Sequence, residues 1–245
     1  MRGEDHTTIT AATFFPFLLP AILDREIDVI LPLIFFVSAI IGSLTPDADC
    51  EEKSALYYRC EIVYFLMKFV IMKPVTLFFQ NTINKRFKLE HVVGEEHRGI
   101  MHSPIGVFMS SLFLSVIVFI FMLFFKFVNI WVLAAIFLGL LCGQLMHLLQ
   151  DSCTVLGINW KFPFGTKMLK GEIYTSRKDV RLLILYLSLL ALSAILFFSY
   201  KNIQQMNLSL WGLYAIIFFC VFFVWAAMLF ASKCFIFNKG RNGIV

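Results

Sequence analysis

The chain has 245 residues, of which 60% are hydrophobic and 15% are charged, and its formal net charge is +5. This balance, with 29 phenylalanines, excludes an ordinary water-soluble domain, in which about a quarter of the residues are charged. It predicts an integral membrane protein.

Six apolar segments are long enough to cross a bilayer as helices. A helix rises 1.5 Å per residue, so about 20 apolar residues span a hydrocarbon core of about 30 Å. The first two segments are shorter and contain Pro16, Pro20 and Pro32, so we interpret them as a kinked pair of crossings. The predicted spans are 9–23, 29–45, 105–125, 130–149, 182–200 and 208–232. The predicted fold class is an all-α integral membrane protein with about six transmembrane helices in a bundle.

Residues 62–80, IVYFLMKFVIMKPVTLFFQ, are also apolar, but Lys68, Lys73 and Pro74 interrupt them. This pattern favours an amphipathic helix that lies in the interface or packs on the bundle over a seventh crossing. The segments 46–103 and 150–181 then lie on one face of the membrane, together with both termini.

Lysine and arginine indicate which face this is. Of the 21 basic residues, 18 fall on the face that carries both termini, and only Arg25, Lys126 and Lys201 fall on the other. The positive-inside rule therefore predicts that the termini and the two long segments are cytoplasmic.

The polar residues that are suited to metal binding or catalysis cluster on this same face. They lie in EDHTT, in SLTPDAD after the second span, in EEHRGIMHSP before the third span, and in HLLQD at the end of the fourth. The candidate ligands in these motifs are four of the five histidines and three of the aspartates: His6, His97, His102, His147, Asp47, Asp49 and Asp151. Imidazole and carboxylate groups at the edge of the hydrocarbon are costly without a partner, which favours a functional site.

The spacing within the motifs is typical of metal ligands. His147 and Asp151 are four residues apart near a helix end, so both side chains share a face and can close on one ion. Asp47 and Asp49 follow the helix-stopping Pro46, and their carboxylates point the same way if this segment is extended. Both carboxylate groups sit at helix C-termini, where the helix dipole opposes negative charge and a bound cation would relieve the conflict.

The third span has a clear start signal. Ser103 followed by Pro104 predicts an N-cap and a first-turn proline, which would hold His97 and His102 on a loop against that helix. His91 lacks a matching partner, and we interpret it as a surface residue.

The ordered motifs SLTPDAD, HRGIMHS and HLLQD, followed by a glycine and FPF, resemble those of the YdjM-like family of inner-membrane proteins, regarded as metal-dependent hydrolases. The typical pattern is an early histidine, then LxPDxDH, HRGxTHS and HxxxDxxTxxGxxxxxP. The resemblance covers residues 6–165 and implies a metal site and an inner-membrane location. It also suggests distant kinship with the all-α phospholipase C and P1 nuclease group, whose helices hold zinc. The implied ligands are His6, Asp47, Asp49, His97, His102, His147 and Asp151.

Three departures from the family pattern matter. Cys50 stands in place of the histidine after the second aspartate, and Met101 replaces the usual threonine. The two spans beyond Ser176 carry no matching motif. We therefore predict a hydrolase-like domain over 1–176 and a C-terminal transmembrane helix pair over 177–245.

The donor set predicts the chemistry. A mixed imidazole and carboxylate site suits zinc, with manganese and iron as alternatives. Asp47, Asp49 or Glu96 could act as the general base toward water, and Arg98 could stabilise an anionic transition state. These roles are typical of hydrolysis of an ester or phosphoester bond.

Two functions remain open at this stage. Because every candidate ligand lies at a helix end near the head groups, we expect a membrane-bound hydrolase whose partners are membrane lipids or a lipid-like substrate. The alternative is a non-enzymatic membrane scaffold or regulator whose metal or polar cluster is structural, since structural sites are closed to water. The chain has no aromatic-basic recognition motif, so we expect no nucleic-acid partner.

Overall fold

The computed structural model describes residues 3–24, 27–49, 65–84, 99–165, 167–174, 179–206, 208–234 and 236–239. Its α-helices are α1 (Gly3–Leu23), α2 (Ile30–Gly42), α3 (Lys73–Phe79), α4 (Pro104–Phe124), α5 (Ile130–Ser152), α6 (Val180–Gln205) and α7 (Leu210–Ala231). Six helical segments of the described part are long and apolar enough to cross a membrane: α1, α2 with the turn that follows it, α4, α5, α6 and α7. The six predicted crossings are confirmed, with ends shifted by a few residues.

The long helices begin where the sequence places polar caps. The Ser103 hydroxyl accepts a hydrogen bond from the Gly106 amide at 3.1 Å, and Pro104 is the first residue of α4, as predicted. Asn129 caps α5 through the Trp131 amide at 2.9 Å. These caps satisfy amides that would otherwise be exposed to hydrocarbon.

Helices α2 and α5 pack with their backbones in close contact. At Gly143 a Cβ atom would overlap the carbonyl oxygen of Ala39, so only glycine permits this approach. Small residues at the contact are typical of helix pairs in membranes. The close approach brings the C-terminal end of α2 beside the last turns of α5.

Helix α1 lies at the centre of the described bundle and contacts α2, α5, α6 and α7. The Trp225 indole of α7 donates a hydrogen bond to the Thr13 hydroxyl of α1 at 3.2 Å. Around this contact lies the largest apolar core, which includes Leu19, Leu189 and Ile217.

The segment 62–80 was predicted to lie in the interface or to pack on the bundle, and its described residues pack on the bundle. Helix α3 is flanked by π-helical turns at Leu66–Met72 and Gln80–Asn84. It buries one apolar face against the residues that precede α4 and follow α2; this second core comprises Leu44, Ala48, Ile71, Met72, Val75, Phe79, Ile100 and Met101. Within residues 65–84, the exposed large apolar side chains are those of Phe65, Phe69, Leu77 and Phe78.

The loop after α5 and the end of α7 meet at one end of the bundle. Strands β1 (Lys167–Lys170) and β2 (Ile236–Lys239) form an antiparallel ribbon that the sequence analysis did not predict. The Cys234 thiol donates to the Ser152 carbonyl at 3.1 Å, and Arg181 donates to the Glu172 carbonyl at 3.0 Å. At the other end, Gln204 bonds to Asp24 at 3.2 Å. The loop after α5 and the segment after α7 were predicted to lie on one face, and the structure brings them to one end of the bundle. That this end faces the cytoplasm stays a prediction.

Candidate metal centre

Five of the seven predicted ligands meet at this end of the bundle. His6 lies in the first turns of α1, Asp47 in a 3₁₀ turn after α2, and His102 in a 3₁₀ turn before α4, while His147 and Asp151 end α5. All five are buried, with exposed fractions from 0% to 7%. They form two overlapping triads whose ligand atoms lie within 4.8 Å of one another, and His147 belongs to both.

The carboxylates lie among the imidazole Nε2 atoms. Asp47 Oδ1 is 3.4 Å from His147 Nε2 and 3.8 Å from His102 Nε2. Asp151 Oδ2 is 3.9 Å from each of these two nitrogens, and its Oδ1 is 3.4 Å from His6 Nε2. Ligand atoms about 2.1 Å from a common tetrahedral ion lie about 3.4 Å apart, so the spacing fits a shared cation.

Hydrogen bonds on the far side of two rings determine which nitrogen carries the proton. His147 Nδ1 is 2.7 Å from the Ser43 carbonyl oxygen, which can only accept, so Nδ1 donates. His6 Nδ1 is 3.0 Å from Gln150 Oε1, and the Gln150 amide nitrogen donates to Thr10 Oγ1 at 3.1 Å. In the neutral rings, Nε2 of both histidines therefore presents a lone pair to the aspartates.

In this arrangement hydrogen-bond acceptors face one another, because the Nε2 lone pairs are directed at carboxylate oxygens. The Nε2 atoms of His6 and His147 have no hydrogen-bond partner among the described residues. Protonation of both rings would not resolve this, because the two rings stack with centroids 3.7 Å apart and two cations would repel each other. The imidazole nitrogens and the carboxylate oxygens around them fit a divalent cation held between them.

Local structure explains how each ligand reaches the centre. The four-residue spacing of His147 and Asp151 places both on one face of α5, as predicted. The 3₁₀ turn of His102 packs so closely on α4 that a Cβ atom at Gly106 would overlap the Ile100 carbonyl. The Ser103 hydroxyl also donates to that carbonyl at 2.7 Å, which closes the turn.

The expectation of an extended segment at Asp47 and Asp49 is wrong. Residues Pro46–Asp49 form a 3₁₀ turn, and the Ala48 amide bonds to the Thr45 carbonyl at 3.1 Å. The proline starts a new turn directly after α2, so the two aspartates do not alternate as they would in a strand. Asp47 reaches the centre, whereas the side chain of Asp49 lies outside the described part.

Four further predictions concern residues that the described ranges do not include. They are the ligand His97, the catalytic candidates Glu96 and Arg98, and the departure at Cys50. His91, predicted to be a surface residue, is also outside these ranges. All of these remain predictions.

Two groups that orient the ligands were not predicted from the sequence. Gln150 is fully buried and lies inside the HLLQD motif, where an amide in a predicted span could have indicated a buried polar contact. The carbonyl of Ser43 has no sequence signal, since every residue has one.

The loop after α5 supports the end of that helix. The Thr154 hydroxyl donates to the Asp151 carbonyl at 2.7 Å, and the Trp160 indole donates to the Ser152 hydroxyl at 2.8 Å.

At the start of α6, Asp179 caps the helix and pairs with Arg181 at 2.7 Å. The bonded Arg181 guanidinium lowers the pKa of the Asp179 carboxyl below its usual value.

Comparison with known proteins agrees with the motif resemblance. The family model of the YdjM inner membrane protein matches residues 1–231. No curated protein and no solved structure matches the chain. The family match covers nearly the whole chain, including all five converging residues, while kinship with the phospholipase C and P1 nuclease group stays a prediction. The chain therefore belongs to the YdjM inner membrane protein family.

Proposed function

We propose that this chain is a membrane-bound, metal-dependent hydrolase that cleaves an ester or phosphoester bond in a membrane-associated substrate. The observation that carries the proposal is the pair of Nε2 atoms, on His6 and His147, that face carboxylate oxygens at 3.4 Å while the Nδ1 atoms of both rings bond elsewhere. Three imidazoles and two carboxylates suit zinc, with manganese and iron as alternatives.

One ion accounts for the described ligands better than two. His147 belongs to both triads, but its Nδ1 is bonded to the Ser43 carbonyl, so only Nε2 can bind a metal. The two triads therefore share a single donor atom and describe one centre. Two carboxylates and neutral imidazoles balance a divalent charge, which suits a centre buried at the end of a membrane-spanning bundle.

A divalent ion at such a site supplies Lewis acidity, which activates water and polarises the bond to be broken. Asp47 is the most exposed of the five ligands, so its side of the centre is where substrate would approach. Asp49 closes the same turn and is our candidate for the base that accepts a proton from water. Glu96 is the alternative base, and Arg98 would stabilise negative charge in the transition state.

The position of the site supports an amphiphilic substrate. The ligands come from the same end of several helices that can cross a membrane, where a head group can reach them while the tail stays in lipid. Lys161, Lys167 and Lys170 lie on the loop at this end and favour an anionic head group. By the charge count, we propose that this end faces the cytoplasm.

A structural metal centre is the second candidate, and the burial of the ligands favours it. None of the five described ligands is more than 7% exposed, and structural sites are closed whereas catalytic sites keep a position open to water. The polar cluster would then join α1, α2, α4 and α5 without catalysis.

The test begins with metal analysis of the detergent-purified protein, followed by assays in mixed micelles. The substrates are phospholipids and isoprenoid phosphates, beside a soluble phosphodiester. We expect one bound ion per chain and turnover of a lipid substrate, which a chelator and either Asp49→Ala or His102→Ala would abolish. Turnover of the soluble compound alone would refute the lipid substrate.

Azide binding separates the two candidates. In protein loaded with Co²⁺, azide should change the visible absorption spectrum if a coordination position is open. An unchanged spectrum, with no turnover by folded and metal-loaded protein, would overturn the hydrolase and support the structural centre.

A further inference from the structure

We infer that Gln150 is a positioning residue that selects the metal-binding tautomer of His6. This inference rests on the metal centre proposed above and assigns a role to a residue that is not itself a ligand. Gln150 lies on α5 directly before Asp151, and it is fully buried against α1.

The contacts of Gln150 orient its amide. The amide nitrogen faces two oxygens of α1, Thr10 Oγ1 at 3.1 Å and the His6 carbonyl at 3.5 Å. A flipped amide would place its oxygen against that carbonyl, which cannot donate. The amide oxygen is therefore directed at His6 Nδ1, 3.0 Å away.

An acceptor at this position has a direct effect on the ring. His6 Nδ1 must carry the proton in order to donate to Gln150, so Nε2 keeps its lone pair toward Asp151. Without the acceptor, the ring can adopt the other tautomer and donate from Nε2 to the Asp151 carboxylate instead. That hydrogen bond would occupy both groups and remove them from the metal.

His6 needs such a partner more than His147 does. The His147 ring is oriented by the backbone carbonyl of Ser43, which no substitution of a side chain removes. His6 is oriented by a side chain from another helix, 144 residues away in the chain. Gln150 is thus the replaceable part of the hydrogen-bond shell around the centre.

The test compares Gln150→Met, which keeps the length of the side chain without an acceptor, with Gln150→Glu, which keeps an acceptor. The matched control is Gln144→Met, because Gln144 is also buried on α5 but bonds to Ser110 and Ser111 of α4. Metal affinity is measured by competition with a chelator, and thermal unfolding of metal-free protein reports the structural cost of each change.

We expect Gln150→Met to weaken metal binding by about 10- to 100-fold, the usual effect of losing such a partner. Gln150→Glu should restore most of the affinity, and Gln144→Met should bind metal like the wild type. Wild-type affinity in Gln150→Met, or an equal loss in Gln150→Glu at matched stability, would overturn the inference.

Nitrogen-15 NMR of selectively labelled histidine gives a second readout that does not need metal. We expect His6 to be protonated at Nδ1 in the metal-free wild type and to become a mixture of tautomers in Gln150→Met. A wild type with this tautomer that binds no metal would refute the proposed centre while leaving the role of Gln150 in place. A wild-type ring protonated at Nε2 would refute the role itself.

Discussion

Helices α5 and α7 are both long and apolar enough to cross a membrane, but they bury different kinds of side chain. Helix α5 buries polar groups near its end: Gln144, His147, Gln150 and Asp151. Helix α7 buries Leu213, Ile217, Val221, Trp225 and Met228. Because hydrocarbon penalises unsatisfied polar groups, those of α5 must face protein, and each described one has a polar group close by. Polar residues inside a span therefore indicate which helices build a site.

The packing of the two regions differs in the same way. Helices α2 and α5 touch through their backbones at Gly143, which holds Asp47 against His147. Helices α6 and α7 instead leave a groove of about 400 Å³ between them, lined mostly by small or apolar residues such as Ser188 and Ala227, with Arg181 as its charged member. A ligand cluster needs fixed geometry, whereas a helix pair that faces lipid tolerates looser packing.

The sharpest test of this contrast is the loss of a ligand. His147→Ala or Asp151→Ala should reduce bound metal strongly, while Ser193→Ala, at a buried position of α6, should retain it. Substitution of a residue that only orients a ligand lowers metal affinity by about 10- to 100-fold, so substitution of a ligand should lower it further. Metal content per purified chain is the measurement, and equal retention in all three variants would break the contrast.

The second test compares backbone packing. Gly143→Leu should lower stability by about 1–3 kcal/mol or more, because the new side chain overlaps α2 and forces the helices apart. It should also weaken metal binding, since Asp47 moves away from His147. Ala227→Leu is the matched control, because its side chain enters the groove between α6 and α7.

Both variants are measured by thermal unfolding in detergent and by competition with a chelator. Equal losses in Gly143→Leu and Ala227→Leu would show that the two helix pairs are packed alike.

The third test measures how strongly the two regions are joined. Thr13→Val removes the hydroxyl that accepts the Trp225 hydrogen bond between α1 and α7. Interhelical hydrogen bonds in membranes average about 0.6 kcal/mol, so we expect a loss of that size. A double-mutant cycle with Trp225→Phe isolates the contact, and Trp211→Phe is the control because Trp211 is exposed. A coupling energy of zero would mean that the two helices associate by apolar packing alone.

The smallest effect is expected at the surface of the C-terminal pair. Because Arg181 lowers the pKa of Asp179, their interaction stabilises the fold above the usual aspartate pKa and is lost as the pH falls below about 4. Asp179→Asn should remove this pH dependence at a cost of about 0.2–0.5 kcal/mol near neutral pH, because the pair is local and partly exposed. Unfolding curves at pH 7 and pH 3 are the measurement, and an unchanged pH dependence in the variant would refute the assignment.

The sequence alone determined the features that depend on local pattern. The length of the apolar segments identified the six helices of the described residues that can cross a membrane, because hydrocarbon thickness sets that length. The four-residue spacing of His147 and Asp151 predicted a shared helix face, and Ser103 with Pro104 predicted the start of α4. The last two features depend on residues within about one helical turn of one another, and the first depends on one continuous segment of the chain.

Only the tertiary structure decided how the ligands combine. It brought His6 onto the ring of His147, it turned Asp47 toward His147 through a 3₁₀ turn, and it placed Gln150 behind His6. The bond from His147 Nδ1 to Ser43 leaves Nε2 as the nitrogen that this ring offers to both groups of possible metal ligands. These contacts join residues a hundred or more positions apart, and they depend on how closely the helices pack, which no local pattern of residues specifies.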